Sequence, residues 1–357
     1  MSEHRDLLAE RRRRLFEVAA GRVTLAHGSG GKAMHELLEA LVVPTLGDAE
    51  LARMDDQARL DPGTLEAGAR LALTTDGFVV QPPVFPGGDI GRLAVCGTVN
   101  DLAVGGAEPR ALALALVLEE GLELAFLERI LTSARAAAEE AGIAIVAGDT
   151  KVVPRGACDG LFVTTTGIGL LAPGCDLGPH RIRPGDRLFV SGPLGDHGAA
   201  VMVARGDMAL EVEVRSDCAP LWDLVRHLRA EVPGLRCLRD PTRGGFATTV
   251  VELARGSGLA FEIEEAALPV RDEVRGVCEI LGLDPLYLAC EGRLVGVVAE
   301  EDVPRLEAAL SAHPQAAGGG LVGRVVEGRP GRVVMKTAFG GRRIVDMLIG
   351  DQLPRIC

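Results

Sequence analysis

Aromatic side chains are scarce in this sequence, at 3% of its 357 residues. That argues against a nucleic-acid face built from stacked rings and leaves the cores to Ala, Val and Leu. Positive charge is also in deficit: the net charge is -12 and the pI near 5.2, so nucleic acids and anionic membranes would be repelled at long range. A small-molecule or protein partner fits better. None of the eight cysteines forms a CxxC pair, and the seven histidines make no HxH or HxxxH cluster, which disfavours a zinc or iron–sulfur cage. No window approaches the ~18 uninterrupted apolar residues of a membrane span. The Arg11 to Arg14 run is followed by Leu15-Phe16-Glu17-Val18, which supplies no apolar targeting core. The expected compartment is therefore the reducing cytoplasm, with most cysteines acting as small buried hydrophobes.

What the chain does have is 47% hydrophobic and 25% charged residues over a length that predicts two packed domains. An apolar strand is expected over 71–75, ending at Asp76. A helix opens near residues 88–91 and runs through Val104, a strand covers 111–118, and a helix covers 124–141. A strand over 143–147 ends in Gly148-Asp149-Thr150. Strands and helices alternate, which predicts an α/β half. The stretch 170–186 is rich in Pro and Gly and reads as a connection, with the boundary near residue 180. The alternation then resumes: a strand over 187–191, a helix beginning around His197, and a helix over 247–254 entered through Asp240-Pro241-Thr242-Arg243-Gly244-Gly245. A strand over 294–298 and a helix over 303–312 follow. From Lys336 onward no core pattern is visible, so a flexible tail is expected.

Several motifs carry chemistry. His27-Gly28-Ser29-Gly30-Gly31-Lys32 looks like a phosphate-cradling loop, yet the Walker form requires Gly at 26 and Ser or Thr at 33, where this chain has Ala26 and Ala33. Its backbone N–H groups remain able to close over an anion, with Lys32 beside it. Five aspartates, Asp56, Asp76, Asp101, Asp149 and Asp240, fall at expected strand ends or helix starts. Hard carboxylate ligands of this kind suit Mg²⁺ bridging to nucleotide phosphates, although each alone is an ordinary cap or turn residue. The glycines of the 240–245 motif would let backbone approach a phosphate. Glu291 lies between Leu-Tyr-Leu-Ala-Cys and Gly-Arg-Leu-Val, so a desolvated carboxyl with a raised pKa is expected; the alternative is an ion pair with Arg293. His197 reads as a helix-start residue. Cys357 is the last residue of the sequence, where a thiol on a tail could visit two sites in turn, with Arg355 favouring thiolate.

Taken together, GSGGKAM, TTDG, PGGDIGRLAVCGTVNDLAVGGAEP, AGDTKVV, SGPLGDHG, DPTRGG and the terminal PRIC resemble the HypE carbamoyl dehydratases of hydrogenase maturation, in the aminoimidazole ribonucleotide synthetase superfamily. The likeness runs from about Val23 to Cys357. It implies a two-domain α/β (α+β) fold of mixed sheets with helices packed on them. An N-terminal extension (1–22) would precede an ATP-binding and dimerisation domain (23–178), a C-terminal domain (179–335) and a flexible tail carrying Cys357 (336–357). It implies ATP and Mg²⁺, with Gly28, Gly30, Gly31, Lys32, Asp56, Asp76, Asn100, Asp101, Gly148, Asp149 and Thr150 at the nucleotide and Asp56, Asp76, Asp101, Asp149 and Asp240 at the metal. Cys357, Glu291 and Lys151 would be catalytic. The implied partners are a HypF-like carbamoyl transferase, a HypC/HypD-like iron-carrying complex and a second copy of the chain.

The implied reaction is ATP-dependent dehydration of an S-carbamoyl group on Cys357 to thiocyanate, a source of the cyanide ligand of [NiFe]-hydrogenase. Another synthetase or kinase of the superfamily would use the same nucleotide apparatus without a terminal thiol. A non-catalytic thiol scaffold would need no ATP.

Overall fold

In a computed structural model of the chain, residues 10, 12–13, 15–17, 21–24, 27, 36–47, 66–206, 212–347 and 356–357 are described. Gly28, Gly30, Gly31, Lys32 and Asp56 lie outside them.

The first half is built on a four-stranded mixed sheet in the order β1-β6-β4-β5, formed by β1 (Arg70–Phe78), β4 (Glu108–Glu119), β5 (Ala144–Val153) and β6 (Leu161–Leu171). A small hairpin, β2 (Val84–Phe85) and β3 (Gly88–Asp89), leads into helix α1 (Ile90–Val104). This helix starts where it does because the Asp89 carboxylate accepts from the backbone N–H groups of Gly91 and Arg92, capping its first turn. Nearly all of α1 is buried, since it touches β1, β4, β6 and helix α2 (Leu124–Glu140) on one side and second-half elements on the other. Its run of Gly, Ala, Val and Thr follows from that position: a helix enclosed all round has no polar face to present. Helix α2, by contrast, buries one stripe, Leu124, Leu127, Ile130, Leu131 and Ala134.

Among the described residues, only one face of this sheet is covered. Thr165 and Gly167 of β6 point under α1, where the Thr165 and Thr98 hydroxyls meet at 2.5 Å. Cross-strand register puts Thr75, Thr166 and Ala113 on the other face, and Thr164, Ala115 and Asp149 beside them. That face also carries Leu71 and Leu73, 70% and 72% exposed.

The second half is a seven-stranded mixed sheet in the order β13-β12-β9-β11-β7-β10-β8. Its strands are β7 (Arg187–Val190), β8 (Leu235–Arg239), β9 (Ala260–Glu264), β10 (Val295–Val298), β11 (Gly320–Val326), β12 (Val333–Lys336) and β13 (Arg342–Val345). Helices α3 (Asp196–Arg205), α4 (Trp222–Glu231), α5 (Gly245–Ser257), α6 (Asp272–Leu281) and α7 (Val303–Ala312) accompany it. Separate apolar clusters flank this sheet, one including α5 and the other α4 and α7. A third, the largest, is shared: it joins α1 and α2 to Ala199, Val274, Leu288 and Ile356. The seven cysteines other than Cys357 are all free and buried, as expected.

Two readings of the sequence are corrected. The strands expected to end at Asp76 and before Gly148 instead run on through them, because their ladders continue against the Thr-rich β6 and against β4. The chain beyond Lys336 is pinned as far as Val345 by β13, which pairs with β12 and buries Val345.

The α1 to α2 contact depends on Gly91, where a methyl group would overlap the Ile130 backbone carbonyl. Gly91→Ala should cost ~1–3 kcal/mol, the usual range for overpacking, read as a lowered midpoint in denaturant unfolding.

Candidate active site

The end of the chain is docked between the halves. The Ile356 side chain is buried, at 5% exposure, in the shared core. Its carbonyl oxygen lies 2.8 Å from His197 Nε2, and the Val79 N–H donates to the terminal oxygen of Cys357 at 3.2 Å. Arg243 Nε donates to Cys357 Sγ at 3.2 Å. Burial, reinforced by the Glu291 carboxylate and opposed by Arg243, pushes the Cys357 thiol up to about 12. Docked, it is a thiol and not a thiolate. Arg355, to which the sequence pointed as a source of positive charge, lies outside the described residues; among those described, Arg243 supplies positive charge at the sulfur, and burial outweighs it.

Glu291 is 2% exposed, and its Oε1 has no hydrogen-bond partner among the described residues. Desolvation raises its pKa well above the ordinary carboxylate value, and the neighbouring Asp240, Asp217 and Asp76 raise it further. The ion pair considered from the sequence does not form: Arg293 faces Asp217 instead, at 3.7 Å. Asp217 also accepts from the Glu291 and Gly292 N–H groups, and so fixes the backbone beneath the carboxyl. Asn100 completes that support. Its amide donates to the Ala219 and Glu291 carbonyls, both at 3.1 Å, while its oxygen accepts from Leu221 N–H at 2.8 Å. Asn100, expected at the nucleotide, is thus fully engaged in tying α1 to the Glu291 segment.

Asp76, Asp101 and Asp240 gather on the α1 side of the first sheet. Asp101 accepts from Thr74 Oγ1 at 2.8 Å; burial raises its pKa, and Asp76 adds to the rise. Asp240 is pushed up to about 7, chiefly by desolvation and then by Asp101. Like charges held this close favour a cation among them. No group of three or more His, Cys, Asp or Glu among the described residues is placed to hold a metal ion by itself. Mg²⁺ takes one or two carboxylates and completes its shell with phosphate oxygens and water. Beside these carboxylates opens a cavity of about 430 Å³ lined by Thr74, Asp101, Asp240, Leu102, Leu177 and Leu238.

Asp149 and Lys151 are not part of this gathering. They lie on β5, paired to each other at 2.7 Å, on the open sheet face and three strands away from β1. Strand parity sends Asp76 and Asp149 to opposite faces, while Thr150 between Asp149 and Lys151 is buried. Gly148 abuts the Leu114 carbonyl, where any side chain would collide. Gly245 has the same kind of role in its motif: at φ +60° it packs against the Leu286 and Leu288 carbonyls, so its glycine serves a close approach within the protein.

The sequence reading missed Arg243 as the partner of the sulfur, and it missed Asp217 and the tail contact of His197. Arg243 and His197 lay in motifs already singled out, DPTRGG and SGPLGDHG; Asp217 did not.

Both halves of the chain match models of the AIR synthase related proteins. That family's N-terminal domain matches residues 54–171 and its C-terminal domain residues 183–336. Within it, the chain is 57% identical over 337 residues to the carbamoyl dehydratase HypE of Rhodobacter capsulatus, covering 94% of this chain and 98% of that one. A crystal structure of the hydrogenase maturation protein HypE in complex with ATP superposes with a TM-score of 0.88 at 46% identity, covering 94% of this chain and 99% of that one. The HypE chain of a HypE–HypF complex superposes with a TM-score of 0.76 at 39% identity, covering 89% and 100%. The chain belongs to the HypE family.

The raised Asp240 carboxyl sets a pH dependence. Its folded pKa, about 7, exceeds the unfolded value of roughly 3.9, so its contribution is fully present below that lower value and is lost as pH rises through 7. Without nucleotide or divalent cation, Asp240→Asn should therefore melt above wild type at pH 8, and the advantage should shrink as pH falls towards 4 in paired thermal scans.

Proposed function

We propose that this protein is an ATP-dependent carbamoyl dehydratase of hydrogenase maturation, acting on a carbamoyl group carried by Cys357. The observation that carries this reading is the docked terminal sulfur, held by Arg243 beside a buried carboxyl, Glu291, whose Oε1 has no hydrogen-bond partner among the described residues. A superfamily synthetase or kinase would have no use for such an arrangement.

Loading comes first, on the undocked tail. The docked thiol is too weakly acidic to act as a nucleophile, so a HypF-like transferase would meet Cys357 outside the site. Once the tail returns as Cys357–S–C(=O)–NH₂, the carbamoyl oxygen attacks the γ-phosphorus of ATP. ADP departs, one N–H proton is lost, and the carbon bears a phosphate ester. Loss of the second N–H proton then forms the C≡N bond as the C–O bond breaks, releasing phosphate and leaving the S-thiocyanate. Glu291 is the proposed proton acceptor: its desolvated carboxylate is more basic than one in water. One or two of Asp76, Asp101 and Asp240 would hold Mg²⁺ together with the nucleotide phosphates, and the ion supplies charge neutralisation there when bound. The cavity beside them would take the nucleotide, its apolar wall facing the base.

The open face of the first sheet, with Leu71 and Leu73 exposed, supports a homodimer formed through that face. Asp149 and Lys151 lie on the same face. In such a dimer they would serve an interfacial nucleotide, with Lys151 on phosphate or carbamoyl oxygen, and not the cluster around Asp76 of their own chain. The division into residues 23–178 for nucleotide binding and dimerisation, 179–335, and a carrier tail from 336 belongs to the same reading. So do Gly28, Gly30, Gly31 and Lys32 over the phosphates and Asp56 at the metal. Downstream, a HypC/HypD-like iron complex would accept the cyanide. No helix among the described residues is long and apolar enough to cross a membrane. A cytoplasmic location fits the need for a reduced terminal thiol.

Intact-mass spectrometry with the loading partner, with and without ATP, tests this. Cys357→Ala should acquire no adduct. Glu291→Gln should load normally but accumulate the carbamoylated form, with conversion slowed ~10² to 10⁴-fold, the range for losing a positioned acid–base group. Wild-type turnover per folded Glu291→Gln molecule would remove the carboxyl from the mechanism.

A further inference from the structure

Three donors hold the docked tail, and they differ in what they touch. Arg243 meets the sulfur, so its contact changes whenever the sulfur changes its chemical state. Val79 contributes backbone N–H to the terminal oxygen. Among the described residues, His197 alone applies a side chain to the tail backbone, at the carbonyl of Ile356, 2.8 Å from Nε2.

The imidazole is prepared for that contact. It is fully buried, and desolvation lowers its pKa, which favours the neutral ring. The Ile356 carbonyl can only accept, so the proton is assigned to Nε2 and Nδ1 becomes an acceptor. Ser216 Oγ sits 2.8 Å from Nδ1 and supplies the O–H, while itself accepting from the Cys218 N–H at 3.1 Å. Ser216 is in turn fixed by its N–H to the Pro86 carbonyl at 2.8 Å. Phe85 stands edge-on to the imidazole, with centroids 5.2 Å apart. Each link has one donor and one acceptor, running from Cys218 N–H through Ser216 and His197 to the chain end, so the tautomer that can grip Ile356 is set by the protein itself.

We propose that His197 is a positioning residue, a latch on the Ile356 carbonyl that seats Cys357 beside Glu291 whether the sulfur is free, carbamoylated or a thiocyanate. The proposal rests on the reading of Cys357 as the carrier thiol. Because the latch grips the backbone one residue before the sulfur, the cargo can change without loosening the hold, and Ser216 keeps the ring in the gripping tautomer.

The test is the alkylation rate of Cys357 by iodoacetamide in the full-length reduced protein, located by peptide mass mapping, with no ATP and no partner present. Undocking exposes the sulfur and frees its pKa. His197→Ala should therefore label Cys357 about tenfold faster, the population shift expected from one net hydrogen bond. His197→Gln, whose amide N–H reaches the position of Nε2, should stay near wild type. Ser216→Ala, which leaves the ring in place but frees its tautomer, should label faster than wild type, and with His197→Gln it carries the test if His197→Ala fails to fold. In carbamoyl-loaded protein, His197→Ala should slow ATP-dependent conversion without slowing loading, whereas a merely structural role would depress both. Wild-type labelling in folded His197→Ala overturns the latch, as does labelling of His197→Gln as fast as His197→Ala. If the labelling pattern holds but loaded wild-type protein is not dehydrated, the latch stands and the carrier reading falls.

Discussion

Everything at the centre of this molecule depends on keeping one carboxyl, Glu291, out of water while its Oε1 goes without a hydrogen-bond partner among the described residues. A buried carboxyl with a free oxygen is costly, and the surrounding fold supplies the compensation as backbone support. Asp217 takes the two N–H groups at Glu291 and Gly292, Asn100 takes the Glu291 carbonyl, and Arg293 is drawn to Asp217 and so kept away from the carboxyl. The charge that raises the Glu291 pKa comes from Asp240, Asp217 and Asp76, so the metal ligands proposed here and the base tune one another. Neutralising the aspartates withdraws part of the repulsion and lets Glu291 ionise in a dry site.

The two halves of the chain are joined at the same place. Helix α1 belongs by sequence to the first half, yet its C-terminal turns carry Asn100, which ties it to second-half backbone at Ala219, Leu221 and Glu291. The largest apolar cluster crosses between the halves too and includes Ile356. The tail thus docks into a seam that is already packed, and its apolar penultimate side chain completes that packing.

Much of this was legible in the sequence where periodicity or motif spoke. The helix over 303–312 matches α7 residue for residue, and the start of α1 follows from the cap at Asp89. The environment of Glu291 was read from its apolar flanks, and the desolvation is as expected. Asp76 and Asp149 were misread as strand ends because an acidic side chain beside glycine resembles a turn. The ladder opposite them, rich in Thr and Ala, keeps each strand going, and strand parity then separates the two residues. The contacts of the chain end could not be read at all. His197 is 159 residues from its partner and Arg243 is 114 from the sulfur, distances over which no local pattern operates.

The docked terminus has a consequence for fidelity. A site sealed by its own chain end admits reactant only as part of that chain, so free carbamoyl compounds in the surrounding medium meet a plug in place of an opening. On the proposed reading, the tail acts as a key that is cut by loading and spent in each cycle.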